Sequence, residues 1–118
     1  MAVKDAVGRY GEDLVARTLA EDGWEVLARN WRCGLGEVDI VARDGAEVVF
    51  VEVKTRRSEA FGGALAAVTR GKLARLRLLA GEWVATHDEP RRGIRIDVVG
   101  VTLPRAGRAA IEHLRGVG

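Results

Sequence analysis

The sequence has very little cysteine and no long run of apolar residues. Cys33 is the one cysteine among 118 residues, so the chain can form neither an internal disulfide nor a metal site built from several thiolates. This composition is typical of a reducing compartment. No apolar stretch reaches the roughly 18 residues of a membrane-spanning helix, and the first residues carry no apolar secretion signal. We therefore expect a cytoplasmic protein without a membrane partner.

Proline and low-complexity sequence are also scarce. The chain has two prolines and no biased tract, while 47% of its residues are hydrophobic and 31% are charged. That balance excludes a disordered or fibrous chain. A length of 118 residues suffices to bury a hydrophobic core without disulfides and leaves no room for a second domain. We predict a single folded domain over residues 1–118.

Lysine and histidine are rare, so each one is informative. Sixteen arginines carry most of the positive charge, and there are three lysines. An ammonium group can hold a water against a phosphate where a guanidinium would not substitute. Lys54, which follows Glu52 by two positions, is therefore a candidate functional group. The histidines, His87 and His113, have no evident partner in the sequence, so we expect surface or packing roles for both.

Charge is distributed unevenly along the chain. Residues 32–53 carry five acids against two bases, a net charge of −3, whereas residues 54–77 carry seven bases against one acid, a net charge of +6. An acidic patch beside a basic patch is suited to holding a cation and attracting a polyanion. The alternative is that the two patches are solvated faces of a charged small protein.

Hydrophobic periodicity predicts two helices and four or five strands. The first helix ends at a glycine, Gly23, and Thr69 is the expected N-cap of the second. Residues 44–45, Asp-Gly, predict a tight hairpin loop, and residues 58–63 predict a longer loop. The predicted elements, in chain order, are a helix over Val3–Asp22, strands over Trp24–Trp31, Val38–Arg43 and Glu47–Lys54, a helix over Arg70–Thr86, a strand over Ile94–Val101, and a weak strand or short helix over Ala109–Leu114.

One face of the first predicted helix combines small and apolar residues with a carboxylate. Gly8 and Gly11 lie on this face beside Glu12. Glycine inside a helix costs about 1 kcal/mol relative to alanine, so two of them indicate close packing against another backbone. Glu12 would then point into a crowded place. The alternative is that Glu12 lies at the edge of the stripe and reaches water.

The predicted hairpin brings several charged residues together. If Asp44 and Gly45 form the loop, Arg43 pairs with Ala46, Asp39 faces Phe50, and Glu37 faces Glu52. Because opposed residues and residues two apart share a face, Glu37, Asp39, Glu52 and Lys54 would all lie on the same face of the sheet. Like charges opposite each other are destabilising. They require compensation by a divalent metal or by basic side chains, and oxygen-only ligands suit Mg²⁺ or Mn²⁺.

The pattern of these residues resembles that of a known nuclease superfamily. An acid in the first helix, a hairpin with an acid on each strand, and a lysine two residues after the second acid resemble the PD-(D/E)xK pattern. The sequence is most similar to the small YraN-like bacterial family, and in turn to archaeal Holliday-junction resolvases. The segments that carry the resemblance are Gly8 to Glu12, Asn30-Trp31-Arg32, Gly36 to Ala42, Val49 to Arg56, Ala67-Val68-Thr69, Lys72, and Arg95 to Val99.

This resemblance implies an α/β restriction-endonuclease-like core in the order αβββαβ(β), with helices flanking a mixed sheet. It implies that Asp39 and Glu52 are metal ligands and that Lys54 orients or activates the attacking water. Glu12 would be an accessory metal ligand, or a carboxylate that contacts the ligands without contacting the metal itself. Glu37 departs from the pattern, and no proline precedes Asp39; Glu37 is either an extra ligand or the partner of Arg32 or Lys54.

The function implied is that of a Mg²⁺- or Mn²⁺-dependent nuclease hydrolysing phosphodiester bonds in DNA, including branched or damaged structures. A resolvase-like enzyme that cuts two strands would act as a homodimer. The alternatives are a non-catalytic nucleic-acid-binding or adaptor module that keeps the fold, and a partner protein whose acids form an ion-pair network. The bases expected to hold the nucleic-acid backbone are Arg56, Arg57, Arg70, Lys72, Arg75 and Arg77.

Several other residues have structural explanations at least as good as functional ones. Lys72 is one position from the apolar stripe of its helix, so it is either at an amphipathic edge or turned toward the acids, and we favour the edge. Asp97 is unusual in a strand, and we expect an ion pair with Lys72 or an arginine. The three tryptophans are expected in the core, although they could stack on bases.

Overall fold

The computed structural model describes residues 5–57, 65 and 68–117. The predicted loop over residues 58–63 lies outside the described residues. Two helices and five strands follow one another in the order that the sequence predicted, and the last predicted element is a strand. The elements are α1 (Ala6–Glu21), β1 (Glu25–Cys33), β2 (Gly36–Asp44), β3 (Glu47–Arg56), α2 (Arg70–Thr86), β4 (Gly93–Thr102) and β5 (Ala110–Leu114).

Local capping chemistry sets the ends of both helices. Asp5 has an extended backbone and its carboxylate accepts a hydrogen bond from the Gly8 amide at 2.8 Å, so α1 begins at Ala6 and not at Val3 as predicted. At the other end Gly23 has a φ of +91°, and the amide of Trp24 donates to the carbonyl of Leu19. This is the expected glycine C-cap. Thr69 caps α2 as predicted, because its hydroxyl accepts from the Lys72 amide.

The five strands form one mixed sheet in the order β1-β2-β3-β4-β5. The pair β3 and β4 is parallel, and the other three neighbouring pairs are antiparallel. Parallel strands need a crossover connection, and α2 lies within the segment that joins β3 to β4. This arrangement is the mixed α/β sheet of a restriction-endonuclease-like core, as predicted.

The register of the β2–β3 hairpin differs from the predicted one. Asp44 pairs with Glu47 and Ile40 pairs with Val51, so the two loop residues are Gly45 and Ala46, and the predicted pairing of Arg43 with Ala46 is wrong. Gly45 has a φ of +61°, whereas the φ of Ala46 is not positive. Glycine in the first loop position alone is the requirement of a type II′ turn, not of the type I′ turn that Asp-Gly favours. The error is two residues, which leaves the β3 side chains on their predicted faces.

Two hydrophobic layers cover the sheet, one under each helix. Val15, Leu19 and their neighbours on α1 pack against one face, and Leu76, Leu79 and Trp83 on α2 pack against the other. In β3 the alternation is regular. The α1 layer includes Val49, Val51 and Val53, and the α2 layer includes Val48 and Phe50.

The alternation is interrupted in β2, and this corrects the prediction of a shared face. Val38 and Val41 both belong to the α2 layer although they are three residues apart, while Ile40 belongs to the α1 layer. The interruption lies opposite Asn30, whose φ is +53°, a conformation that asparagine tolerates better than most residues. Asp39 is therefore not placed by simple alternation with Glu37, and another feature must bring the charged residues together.

Candidate functional site

The predicted acids converge on one cleft between the first turns of α1 and the ends of β2 and β3. The cleft has a volume of about 370 Å³, and we refer to it as the acidic cleft. The five charged residues proposed from the sequence all line it, together with one further acid and several small residues. The lining residues are Asp5, Val7, Gly8, Glu12, Glu37, Asp39, Glu52, Val53, Lys54 and Thr55.

Asp39 is held at the point where the β2–β3 ladder gives way to the cleft. The backbone pairing runs from Asp44–Glu47 to Ile40–Val51. Beyond it, the Asp39 Oδ2 atom accepts a hydrogen bond from the Val53 amide at 2.8 Å. The side chain is only 5% exposed. The Asp39 carboxylate thus takes the place of a backbone acceptor for the Val53 amide. Beyond the Ile40–Val51 pair, β2 and β3 border the cleft.

Glu12 reaches the acidic cleft from α1, which resolves the alternatives that the sequence left open. It is 2% exposed, and its Oε1 atom lies 3.9 Å from Nη2 of Arg29. The same Arg29 nitrogen donates to Asp13 at 2.7 Å. A buried carboxylate next to a guanidinium keeps its charge at lower desolvation cost than an isolated one. Arg29 is a site neighbour that sequence reasoning missed, because only the fold brings β1 beside α1.

Gly11 allows α1 to approach β3 closely enough to bury Glu12. A Cβ atom at Gly11 would lie 1.8 Å from Thr55 Oγ1 and 2.9 Å from Thr55 Cβ. The predicted close packing is therefore found at Gly11, although the atoms in the way belong to the Thr55 side chain and not to a neighbouring backbone. Thr55 Oγ1 is itself buried and has no hydrogen-bond partner among the described residues, which leaves a polar atom available beside the carboxylates.

A second cleft adjoins the first. It has a volume of about 520 Å³, and we refer to it as the α2 cleft. Glu37 and Glu52 line both clefts, so the acidic cleft opens directly toward α2. Lys72 is exposed on α2 and lines the α2 cleft together with Glu37 and Glu52, so the two alternatives offered for it, an amphipathic edge and a position toward the acids, are not exclusive. Arg75 lines the same cleft and donates to the Leu35 carbonyl at 3.2 Å.

The remaining predicted phosphate-binding residues are spread more widely. Arg56 is half-buried, and Arg57 is exposed and lines a third pocket beyond the end of β3. Arg70 and Arg77 are exposed but line neither the acidic cleft nor the α2 cleft. Two of the predicted bases, Lys72 and Arg75, thus line a cleft that Glu37 and Glu52 also line, and the other four line neither cleft.

Glu37 forms an ion pair that the sequence offered as one of its possible roles. Its Oε2 atom accepts from Arg32 Nε at 2.7 Å. Glu37 is half-buried and Arg32 is exposed. Because it is engaged with Arg32 at the junction of the two clefts, Glu37 contributes negative charge to the site while its orientation is set from β1.

The donor set fits Mg²⁺ or Mn²⁺ but not a metal cage made of protein alone. In the part of the chain that the structure describes, no three His, Cys, Asp or Glu side chains are gathered closely enough to hold a metal ion by themselves. Mg²⁺ in proteins is usually held by one or two carboxylates, with water and substrate phosphate completing the octahedron. Asp39 and Glu52 supply that number of carboxylates, and the Thr55 hydroxyl and Glu12 can bind the surrounding waters.

A separate buried network lies on the α1 face of the sheet, toward the hairpin end of β2 and β3. Asp97 is fully buried and accepts from Arg95 Nε at 2.9 Å, from the Gly116 amide at 3.0 Å, and lies 2.8 Å from His113 Nε2. Burial alone would raise the pKa of the Asp97 carboxyl, but hydrogen bonds from His113, Arg95 and Gly116 outweigh burial and lower it. The same pairing raises the pKa of Arg95.

This network confirms the prediction of an arginine partner for Asp97, and it shows that the packing role expected of His113 includes a hydrogen bond that the sequence did not indicate. Arg95 and Asp97 are two apart on one strand, so they share a face and could have been paired from sequence. His113 does have a partner, which the β4–β5 register provides by placing it opposite Val99. Trp24 is buried, with Arg95 5.2 Å from its ring centroid, so it belongs to the core as expected.

Fold and cleft together define a small α/β domain with a restriction-endonuclease-like core and an acidic cleft containing a lysine. The chain belongs to the family described as "Uncharacterised protein family UPF0102", whose profile matches residues 11–101. This confirms the YraN-like family predicted from the sequence. Among the described residues, no helix is long and apolar enough to cross a membrane.

Relatives from several bacteria match over nearly the whole chain. A UPF0102 protein of Beutenbergia cavernae is 61% identical over 118 residues, covering 100% of both chains. A UPF0102 protein of Streptomyces griseus is 57% identical, covering 99% of both chains. A UPF0102 protein of Frankia alni is 51% identical over 116 residues, covering 98% of this chain and 97% of its own.

Proposed function

We propose that this protein is a metal-dependent nuclease that hydrolyses phosphodiester bonds in DNA. The observation that carries the proposal is the acidic cleft, where Glu12, Asp39, Glu52 and Lys54 meet. Two of these carboxylates, Glu12 and Asp39, are almost completely buried. Arg29 lies beside Glu12 and the Val53 amide donates to Asp39, and a divalent cation bound in the cleft would add to this compensation of the buried carboxylates.

Asp39 and Glu52 are the residues proposed to hold Mg²⁺ or Mn²⁺, with Glu12 in an accessory position. When bound, such an ion polarises the scissile phosphate and lowers the pKa of an attacking water. The hydrogen bond from the Val53 amide fixes the Asp39 carboxylate, so its orientation does not have to be established when substrate arrives. Arg29, close to Glu12, offsets part of the charge of that carboxylate and keeps it directed into the cleft.

Lys54 has a different role because a cation cannot be a ligand for another cation. It lines the acidic cleft beside both proposed ligands. An ammonium group there neutralises the negative charge that builds on the phosphate oxygens in the transition state. It can also hold the attacking water by one of its N–H groups. Both actions favour the transition state over the bound substrate.

The α2 cleft gives the substrate backbone a path to the acids. Lys72 and Arg75 line it at the point where it shares Glu37 and Glu52 with the acidic cleft. Phosphates contacted by these bases would lie next to the phosphate that is cut, and the affinity should fall as salt concentration rises. No base-reading motif is present in the sequence, so we propose selection by nucleic-acid shape.

The proposal is tested by incubating the protein with duplex, single-stranded, flap and four-way-junction DNA in Mn²⁺ and in EDTA. We expect cleavage of at least one substrate in Mn²⁺, none in EDTA, and loss of cleavage in Glu52→Gln. Glu82→Gln is the matched control, because Glu82 is exposed on α2 and lines neither cleft. Cleavage that persists in Glu52→Gln would identify a contaminant, and binding without cleavage would identify a nucleic-acid-binding module instead.

A further inference from the structure

A third pocket lies beside the acidic cleft and has no part in the chemistry proposed above. Its volume is about 360 Å³, and we refer to it as the Tyr10 pocket. Tyr10, the one tyrosine of the chain, lines this pocket from α1. It is 51% exposed. The pocket is lined by Ala6, Val7, Tyr10, Arg57, Leu103, Pro104, Gly107 and Ala109.

The Tyr10 pocket adjoins the acidic cleft. Val7 lines both, so the first turn of α1 separates two adjoining depressions. On the sheet side, Lys54 and Thr55 line the acidic cleft and Arg57 lines the Tyr10 pocket. Arg57 follows the last residue of β3, so the Cα atoms of Lys54 and Arg57 are at most about 10 Å apart. That is a few nucleotides of a strand, which rises about 3.4 Å per nucleotide when stacked.

The chemistry of the Tyr10 pocket combines an aromatic ring, an apolar floor and positive charge. Leu103, Pro104 and Ala109 provide apolar surface, and Arg57 is the charged lining residue. The connection between β4 and β5, residues 103–109, carries two arginines and no acid. An aromatic side chain next to cations that follow a backbone is the arrangement by which proteins hold single-stranded nucleic acid.

We propose that the Tyr10 pocket receives an unstacked nucleobase, with Tyr10 stacking on the base and Arg57 contacting the adjoining phosphate. The inference rests on the proposed function, and it names the substrate class: nucleic acid with unpaired nucleotides a few positions from the cut. A base inside an intact duplex is stacked on both sides, so it cannot enter the pocket without the cost of flipping. Flaps and single strands are therefore favoured over intact duplex.

The test is a binding measurement made in EDTA, so that no metal or cleavage is involved. Fluorescence anisotropy compares a labelled single-stranded oligonucleotide with its duplex for the parent, Tyr10→Ala, Tyr10→Phe and Leu78→Ala. Leu78→Ala is the control, because Leu78 is 63% exposed on α2 and lines none of the three pockets. Removing one base–aromatic stack should weaken single-strand binding roughly 10-fold. Duplex binding should change less than about 2-fold, and Tyr10→Phe and Leu78→Ala should bind like the parent.

Equal losses of affinity on single strand and duplex, or no loss in Tyr10→Ala, would overturn the inference, as would a parent that does not bind single strands. A single strand carrying 2-aminopurine gives a second readout, because stacking on Tyr10 should quench its fluorescence in the parent and not in Tyr10→Ala. If the parent binds as described but never cuts DNA, the proposed function fails while the Tyr10 pocket stands.

Discussion

Replacing Gly11 with alanine should open the close approach of α1 to β3 on which the acidic cleft depends. The added Cβ would lie 1.8 Å from Thr55 Oγ1, whereas ordinary van der Waals separations begin at 3.4 Å. Rotating the hydroxyl away does not remove the conflict, because Thr55 Cβ would still lie 2.9 Å away and threonine is restricted at χ1. The helix must therefore move away from the strand.

The size of the effect follows from two opposing contributions. Overpacking of this kind costs about 1–3 kcal/mol, and alanine in a helix interior returns up to about 1 kcal/mol relative to glycine. We expect a net loss of about 1–2 kcal/mol, which lowers the melting temperature of a domain of this size by about 4–8 °C. Mn²⁺-dependent cleavage should fall as well, because Glu12 is the next residue of α1 and would move with the displaced helix.

Thermal unfolding followed by circular dichroism measures the effect, with Gly81→Ala as the matched control. Gly81 lies in α2 with nothing within 4 Å of an added Cβ, so that variant should be as stable as the parent or slightly more stable. Gly11→Ala combined with Thr55→Ala should recover part of the stability, because the hydroxyl and methyl groups are removed. A Gly11→Ala variant that is as stable and active as Gly81→Ala would refute the packing argument.

Three further predictions concern charged groups. Lys54→Ala should leave Mn²⁺ binding by calorimetry unchanged or slightly tighter while single-turnover cleavage falls by roughly 10²–10³-fold; loss of metal binding would contradict its assignment to the chemical step. Replacing Lys72 and Arg75 together with alanine should weaken DNA binding and reduce the slope of log affinity against log salt by about one for each phosphate that is no longer neutralised; an unchanged slope would place the substrate elsewhere. Asp97→Asn should cost about 1–3 kcal/mol near neutral pH, because the charge-assisted hydrogen bonds to Asp97 are weakened while Arg95 keeps its ion pairs with Asp44 and Glu47. Because the pKa of Asp97 is lowered in the folded protein, the stabilisation by its carboxylate is present above the unfolded pKa of about 4. It is lost as pH falls through the folded pKa. The melting temperatures of the parent and Asp97→Asn should therefore converge only in acid.

Local chemistry made much of the fold predictable. The glycine C-cap at Gly23 and the threonine N-cap at Thr69 depend on residues within one turn of the helix end, and both predictions were confirmed. The β2 and β3 strands were predicted from their branched and aromatic residues. Asp39, Glu52 and Lys54 line one cleft although the hairpin register was wrong and the alternation of β2 is interrupted. An error of two residues keeps Glu52 and Lys54 on their predicted face.

The features that sequence reasoning missed all depend on long-range contacts. The interruption of β2 near Asp39 accompanies the positive φ of Asn30 on the neighbouring strand, and no local pattern requires it. The approach of Arg29 to Glu12 requires β1 to lie beside α1. The contact between His113 and Asp97 depends on the register of β5 against β4. No local sequence pattern indicates that register.

The central claim is that the acidic cleft is a metal-dependent active site, and a metal titration of cleavage tests it most directly. Initial rates on the preferred DNA substrate are measured against Mn²⁺ concentration for the parent, Asp39→Asn and the control Glu82→Gln, with calorimetry of Mn²⁺ binding in parallel. We expect a saturable rate in the parent and in the control. In Asp39→Asn we expect weaker Mn²⁺ binding and a rate at least about 100-fold lower, since a carboxylate ligand has been removed. Equal rates and equal Mn²⁺ affinities in the parent and Asp39→Asn would contradict the claim.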